Sequence, residues 1–177
     1  MRILIHIFYI VLALMRRYLV NSAEVVVGID PYSYPCSDCY RFTSLLEGLQ
    51  RGFLSSENTT ITLIDNETPL KREDFIKYLG GGSNRFLHYK SQNGANFRRI
   101  FLRGSTWKGS NLSKIIFYDD YFSLSFSNIE LHLENIQFSF SRHNESYFGC
   151  IFCLIETESG DSTPILFLNN VVFECLK

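Results

Sequence analysis

The chain has 177 residues, is 46% apolar and 20% charged, and carries a formal net charge of −1. These values exclude collagen-like, disordered and strongly basic tail classes, and the length suits one domain able to bury a sizeable core. Aromatic content is high at 15%, with 16 Phe and 10 Tyr against one Trp, while five cysteines are too few for a disulfide-dense miniprotein and leave at least one unpaired.

At the start, Arg2 precedes an apolar run from Ile3 to Met15, interrupted by His6 and followed by Arg16 and Arg17. A run of that length spans roughly 20 Å as a helix, short of the ~30 Å hydrocarbon core of a bilayer. A basic start, a short apolar centre and small residues towards Ala23 predict a secretory signal peptide over residues 1–23. The arginines after the apolar centre are the departure from that pattern. An uncleaved membrane anchor through residues 3–20 is the competing reading, and a buried terminal strand or a mistaken start are the others. Four Asn-x-Ser/Thr triplets, at Asn58, Asn66, Asn111 and Asn144, lie in polar sequence and fit an exported, glycosylated chain. The expected location is therefore secreted or cell-surface.

Residues 24–99 read as an N-terminal cap region. Glu24–Val27 is short and β-branched, and Asp30-Pro31 breaks it. Asp38 is placed to N-cap a helix over 38–54, in which Phe42, Leu45, Leu46, Leu49 and Phe53 recur at helical spacing on one face. Gly52 marks fraying near its end. Ile61, Leu63 and Asp65 predict a short strand, and Pro69–Leu79 a second short helix stopped by Gly80-Gly81-Gly82.

After Phe97, helical spacing gives way to alternation with period two, and 11 of the 16 Phe lie at or beyond this point. An internal repeat then appears. Leu131-x-Leu133-x-Asn135-Ile136-x-Phe138-x-Phe140 aligns with Leu166-x-Leu168-x-Asn170-Val171-x-Phe173-x-Cys175, and every apolar position keeps its parity. A looser copy is Ile100-x-Leu102-x-Gly104-Ser105-x-Trp107, and a fainter one starts at Ile61. Alternation shifts by one residue across Gly104, Asn135 and Asn170, so two strand segments must bend there. Asn and Gly are the residues that most readily adopt the left-handed conformation of a single-residue bend.

Strand–bend–strand units recurring at this spacing predict a solenoid whose stacked coils bury ladders of like residues. Over residues 100–177 the pattern resembles right-handed parallel β-helix proteins of the pectin lyase-like group. The resemblance implies an all-β right-handed parallel β-helix, with the 38–54 segment as an amphipathic helix capping the open end of its core. The alternative fold is an antiparallel β-sandwich, in which the same alternation arises without stacking. Cys175-Leu176-Lys177 directly follows a repeat strand, which predicts further coils beyond it.

Enzymes of the resembled group often act on acidic polysaccharides, using paired aspartates with a His and a basic motif, or an acidic Ca²⁺ cluster. Asp119-Asp120 is the adjacent aspartate pair here, yet no such His or basic motif follows, and neighbours on a strand point to opposite faces. No catalytic residue is assigned. Two Cys-x-x-Cys pairs, Cys36/Cys39 and Cys150/Cys153, are read first as disulfides, with Cys36–Cys39 as a local bridge; a Cys₄ zinc site, a redox dithiol and free thiols are the alternatives. No metal ligand and no cofactor are assigned. His6, His88, His132 and His143 are read as leader or surface residues, His132 on the outward parity of a strand. Arg98, Arg99, Arg103 and Lys108, beside Phe97, Phe101 and Trp107, form a basic patch read as outward strand residues or an anionic-glycan contact, not a nucleic-acid site. Charge is uneven: residues 1–118 hold 15 basic and 9 acidic groups, and 119–177 hold 2 and 9.

These features predict a non-catalytic exported or cell-surface module that is structural, adhesive or carbohydrate-contacting. Its partners would be carbohydrate or another surface protein, with the membrane touched only through residues 3–20 if the leader is kept. The alternative is the N-terminal part of a β-helix polysaccharide lyase or glycoside hydrolase.

Overall fold

The computed structural model describes residues 22–70, 86–90, 98–105, 112–117, 123–127, 129–141, 152–154 and 165–176. Eleven strands and one helix follow in chain order: β1 (Ser22–Val27), β2 (Tyr40–Phe42), α1 (Leu45–Leu54), β3 (Asn58–Leu63), β4 (Glu67–Leu70), β5 (Phe86–Lys90), β6 (Arg98–Gly104), β7 (Ser113–Phe117), β8 (Ser123–Ser127), β9 (Ile129–Ser141), β10 (Phe152–Leu154) and β11 (Ile165–Leu176). Every pairing among the described strands is parallel. That overturns the antiparallel sandwich, whose hairpin-linked strands would pair in opposite directions.

The larger sheet is curled. Its order is β2-β1-β3-β6-β9, with β11 on the far side of β9, while β9 also pairs β7, which in turn pairs β4. Thus β3, β6, the first half of β9 and the first half of β11 form one arm. The second arm is formed by β4, β7 and the second halves of β9 and β11. A separate three-stranded sheet has the order β10-β8-β5.

Register explains the repeat. Val25, Ile61, Leu102, Leu133 and Leu168 occupy one row across the first arm, and Ile100, Leu131 and Leu166 occupy the next inward row. Ile61, Ile100, Leu131 and Leu133 are completely buried in one core, joined from the second arm by Leu70, Ile115, Phe117, Ile136 and Phe138. Burial of each such side chain stabilises the fold by roughly 1.5–3 kcal/mol. The second arm carries an interior aromatic ladder: Phe138 stacks on Phe117 at 6.2 Å and on Phe173 at 5.2 Å between ring centroids. The faintest copy starts two residues earlier than its sequence alignment suggests, at Thr59, because Thr59 pairs with Ile100 and Ile61 with Leu102. A slip of two keeps every side chain on its own face, so alternation alone does not detect it.

Asn135 and Asn170 are the two non-glycine residues with positive φ among those described, both at 54°. There β9 and β11 turn from the first arm into the second without leaving the sheet. Asn170 Nδ2 donates to Asn135 Oδ1 at 2.8 Å, so the bends of the neighbouring strands β9 and β11 are tied to each other. Asn135→Ala is expected to lower stability by about 1–2 kcal/mol through the left-handed backbone and the lost amide contact. Asn135→Gly, which keeps the bend, should cost about half of that in chemical denaturation.

Gly104 differs from this pair. It ends β6 outside the left-handed region, and the second arm resumes only at Ser113, which pairs with Ile136. The Ser105–Trp107 half of the looser repeat copy is therefore replaced by Ser113–Phe117, after a connection of which 106–111 lie outside the described residues. Glycine is required at 104 by close approach: a Cβ there would overlap the Asn135 carbonyl oxygen and come within 2.9 Å of the Ser113 backbone nitrogen.

The helix begins at Leu45 with Ser44 as N-cap, seven residues later than the 38–54 expectation. Tyr40–Phe42 is instead a parallel edge strand on β1, with Val25 opposite Tyr40. The preceding turn is held by Arg41, whose guanidinium donates to the carbonyls of Pro31, Tyr34 and Cys36, and by the Cys36–Cys39 disulfide. Those tertiary contacts outweigh the capping potential of Asp38. Leu45, Leu46, Leu49 and Phe53 face the core, and α1 packs on β1 and β3. Gly52 is buried against Ile61 and Thr59 and is a contact point of the helix, not a frayed end. Pro69 and Leu70 lie in β4 and not in a second helix; residues 71–79 are outside the described set.

Candidate functional site

Alternate residues of the first arm point away from the core, and their register builds a surface row. Glu24, Thr60, Phe101, His132 and Phe167 are successive partners across β1, β3, β6, β9 and β11. His132 lies between two phenyl rings, with centroids 4.5 Å from Phe101 and 4.5 Å from Phe167, and interplanar angles of 25° and 12°. In-register parallel strands place identical positions at ~4.8 Å, so face-to-face stacking along the row follows directly from backbone spacing. The rings spend their faces on each other. Of this described row, Phe167 stands at the end, and it is 46% exposed.

Charged groups flank the rings. Glu130 Oε1 receives Arg99 Nε at 3.1 Å and lies 2.5 Å from His132 Nε2. On the other side, Arg103 lies 3.6 Å from Glu24 and donates through Nε to Thr62 Oγ1 at 3.1 Å. The Arg99 side chain is 58% exposed and that of Arg103 42%, so these pairs add little stability. They leave planar, charged donors and acceptors beside the Phe101 and His132 end of the row, with Phe167 on β11 two strands from β6.

Arg98 departs from the outward basic patch expected from sequence. It is 6% exposed and its guanidinium donates to the carbonyl oxygen of Phe53, tying β6 to the C-terminal end of α1. Burial lowers its pKa from the ordinary arginine value, and its Nε has no hydrogen-bond partner among the described residues. A cation at a helix C-terminus is favoured by the helix dipole, which offsets part of that desolvation. Only Arg99 and Arg103 of the four basic residues are shown on the outer face; Lys108, like Phe97 and Trp107, lies outside the described residues.

Asn58 and Asn66 are exposed, at the start of β3 and between β3 and β4. Asn58 Oδ1 accepts the backbone N–H of Arg99 at 2.8 Å. Asn111, Asn144, Cys150, His6, His143 and Asp119-Asp120 lie outside the described residues; Cys153 and His88 lie in strands β10 and β5. Residues 1–21 of the leader are also outside, while Ser22 and Ala23 already belong to β1.

Among the described residues there is no group of three or more His, Cys, Asp or Glu side chains positioned to hold a metal, and no helix long and apolar enough to cross a membrane. Taken alone, His132 carries no motif that marks the aromatic row. Its signal was present: Phe101, His132 and Phe167 are separated by the same 31 and 35 residues as Leu102, Leu133 and Leu168. No protein-family model matches the chain, and neither any curated protein nor any solved structure is significantly similar to it.

Proposed function

We propose that this chain is a right-handed parallel β-helix module of the pectin lyase-like kind, exported to the cell surface or medium, which contacts carbohydrate without transforming it. Three observations support the coil reading: all-parallel pairing, strands that return in register after each circuit, and a separate sheet formed by the third strand of successive circuits. Parallel crossovers are right-handed in nearly all proteins, which favours that hand here. In this reading α1 closes the β1 end of the core and the Asn135 and Asn170 bends recur once per coil.

The observation that carries the function is the outward row ending at Phe167. A sugar ring presents axial C–H groups that pack on an aromatic face, while its hydroxyls bond planar charged side chains. Phe167 offers the face, and Glu130 on the neighbouring strand and Arg99 and Arg103 one strand further on offer polar partners to a ligand long enough to span the row. The exposed sequons Asn58 and Asn66 accord with passage through a glycosylating compartment.

Calorimetric titration of the secreted protein with neutral and anionic oligosaccharides tests this. Binding is expected to weaken about tenfold in Phe167→Ala, the loss of one stacking contact, with the circular dichroism spectrum unchanged. Absence of binding across the oligosaccharides, or equal binding by Phe167→Ala, would remove the carbohydrate reading. Intact mass that does not fall on glycosidase treatment would count against export.

A further inference from the structure

We propose that Asn58 carries an N-linked glycan whose first sugar packs on the free face of Phe101 and closes the β3 end of the outward row. The inference rests on the passage through a glycosylating compartment proposed above, and it leaves the Phe167 end open. Asn58-Thr59-Thr60 is a sequon at the start of β3. Asn58 and Thr60 stand two residues apart on one strand, so both belong to the outward face, while Thr59 between them is completely buried. Asn58 is exposed.

The ring stack has a second uncovered end. Phe101 is half-buried and gives one face to His132, on the β9 side, with centroids 4.5 Å apart. Its other face is turned towards β3, where the row neighbour is Thr60, a side chain too small to cover a phenyl ring. Adjacent strands lie ~4.8 Å apart and alternate residues ~6.7 Å apart, which puts the backbone of Asn58 about 8 Å from that of Phe101. An asparagine side chain with one hexopyranose ring spans that distance, and the C–H face of the sugar meets the phenyl face.

The Asn58 carboxamide is already positioned for the linkage. Its Oδ1 accepts the backbone N–H of Arg99, on the strand that carries Phe101, and its Nδ2 has no hydrogen-bond partner among the described residues. Glycosylation uses only Nδ2. The Nδ2–C1 bond to an N-acetylhexosamine forms as the C1–O bond to a lipid-linked pyrophosphate donor breaks. Nδ2 loses one proton, and the pyrophosphate leaves with the electron pair of the broken bond. The product amide keeps its Oδ1, so the bond from Arg99 persists and holds the linkage beside β6. Transfer precedes the pairing of β3, and the sugar docks as the strands assemble. Asn66, the other exposed sequon, lacks these partners: it lies in the turn before Glu67, whose strand partner is Lys114 and not an aromatic residue. With the β3 end closed, the row open to an external saccharide runs from β6 to β11, about 10 Å, and is entered from the Phe167 side.

Nuclear magnetic resonance of the full chain, secreted from a eukaryotic host supplied with ¹³C-labelled sugar, tests this together with peptide mapping. A glycan is expected on Asn58, with nuclear Overhauser contacts between its first sugar and the Phe101 ring and upfield ring-current shifts that a sugar on Asn66 lacks. Under native conditions, a peptide N-glycosidase should release this glycan roughly fivefold more slowly than it does in Phe101→Leu, the protection given by one ring contact. The two denatured chains should be cleaved at equal rates. Glycan on other sequons but none on Asn58, or an Asn58 sugar with unshifted protons and no ring contact, would overturn the inference and leave export intact. No glycan on any sequon would overturn export and this inference together. Neither result depends on an external saccharide at Phe167, whose binding is read by the calorimetric titration.

Discussion

Phe138→Ala is expected to destabilise the protein by about 3–5 kcal/mol, the range for removing a fully buried aromatic side chain. Phe138 is 2% exposed and occupies the middle of the interior ladder, with Phe117 and Phe173 on its two faces. Truncation removes both contacts and leaves a cavity between adjacent strands, which cannot close without shifting the strand spacing that the rest of the sheet fixes. Phe173→Ala supplies the internal comparison. Phe173 belongs to the same ladder but is 50% exposed, so its truncation should cost less than half as much. Urea unfolding monitored by circular dichroism gives both numbers, and equal losses would mean that the ladder is not an interior one.

Gly104→Ala should cost about 1–3 kcal/mol even though it adds a single methyl group. The obstructing atoms decide the magnitude. At Gly104 they are the carbonyl oxygen of Asn135 and the backbone nitrogen and Cβ of Ser113, which belong to the paired strands β9 and β7 and cannot rotate away. At Gly48 the nearest obstacle is the Cγ2 of Val27, a side-chain methyl, so Gly48→Ala should be the milder substitution. Asn135→Gly should fail to rescue Gly104→Ala, since the blocking carbonyl is present whatever the side chain. Rescue would instead mean that the Asn135 side chain, and not its carbonyl, sets the obstacle at residue 104.

The contrast between Gly104 and the two asparagines shows what was legible in the chain. The shift in alternation at Asn135 and Asn170 has one cause, a residue in the left-handed region, and that cause is local enough to be read from residue type. The same shift at Gly104 has another cause, an approach between residues far apart in sequence, and glycine serves both. Apolar parity was equally readable: the inward rows containing Leu102, Leu133 and Leu168 follow from period-two alternation and the repeat spacing. Register was not readable at Ile61, because a shift by two residues leaves parity intact.

Where local propensity competed with long-range pairing, the sequence misled. Asp38 is a good N-cap, but Tyr40–Phe42 gains parallel hydrogen bonds to β1, and Arg41 gathers three carbonyls of the preceding turn. Arg98 looked like a surface cation among other cations, and only the placement of α1 shows that its guanidinium meets the carbonyl of Phe53. The candidate binding row was the least legible feature. Phe101, His132 and Phe167 alternate with core residues and carry no motif; they become a row only when the parallel strand spacing sets their rings 4.5 Å apart.

In-register pairing of parallel strands is the arrangement on which both the interior ladders and the outer row depend. Nuclear Overhauser contacts between backbone protons of the isotopically labelled protein measure it directly. The expected result is a set of amide-to-Hα contacts linking Ile61 with Leu102, Leu102 with Leu133 and Leu133 with Leu168 and their immediate neighbours, in the slanted pattern of parallel strands. Close Hα–Hα contacts between adjacent strands, which antiparallel pairing produces and parallel pairing does not, or contacts displaced from these registers, would contradict it.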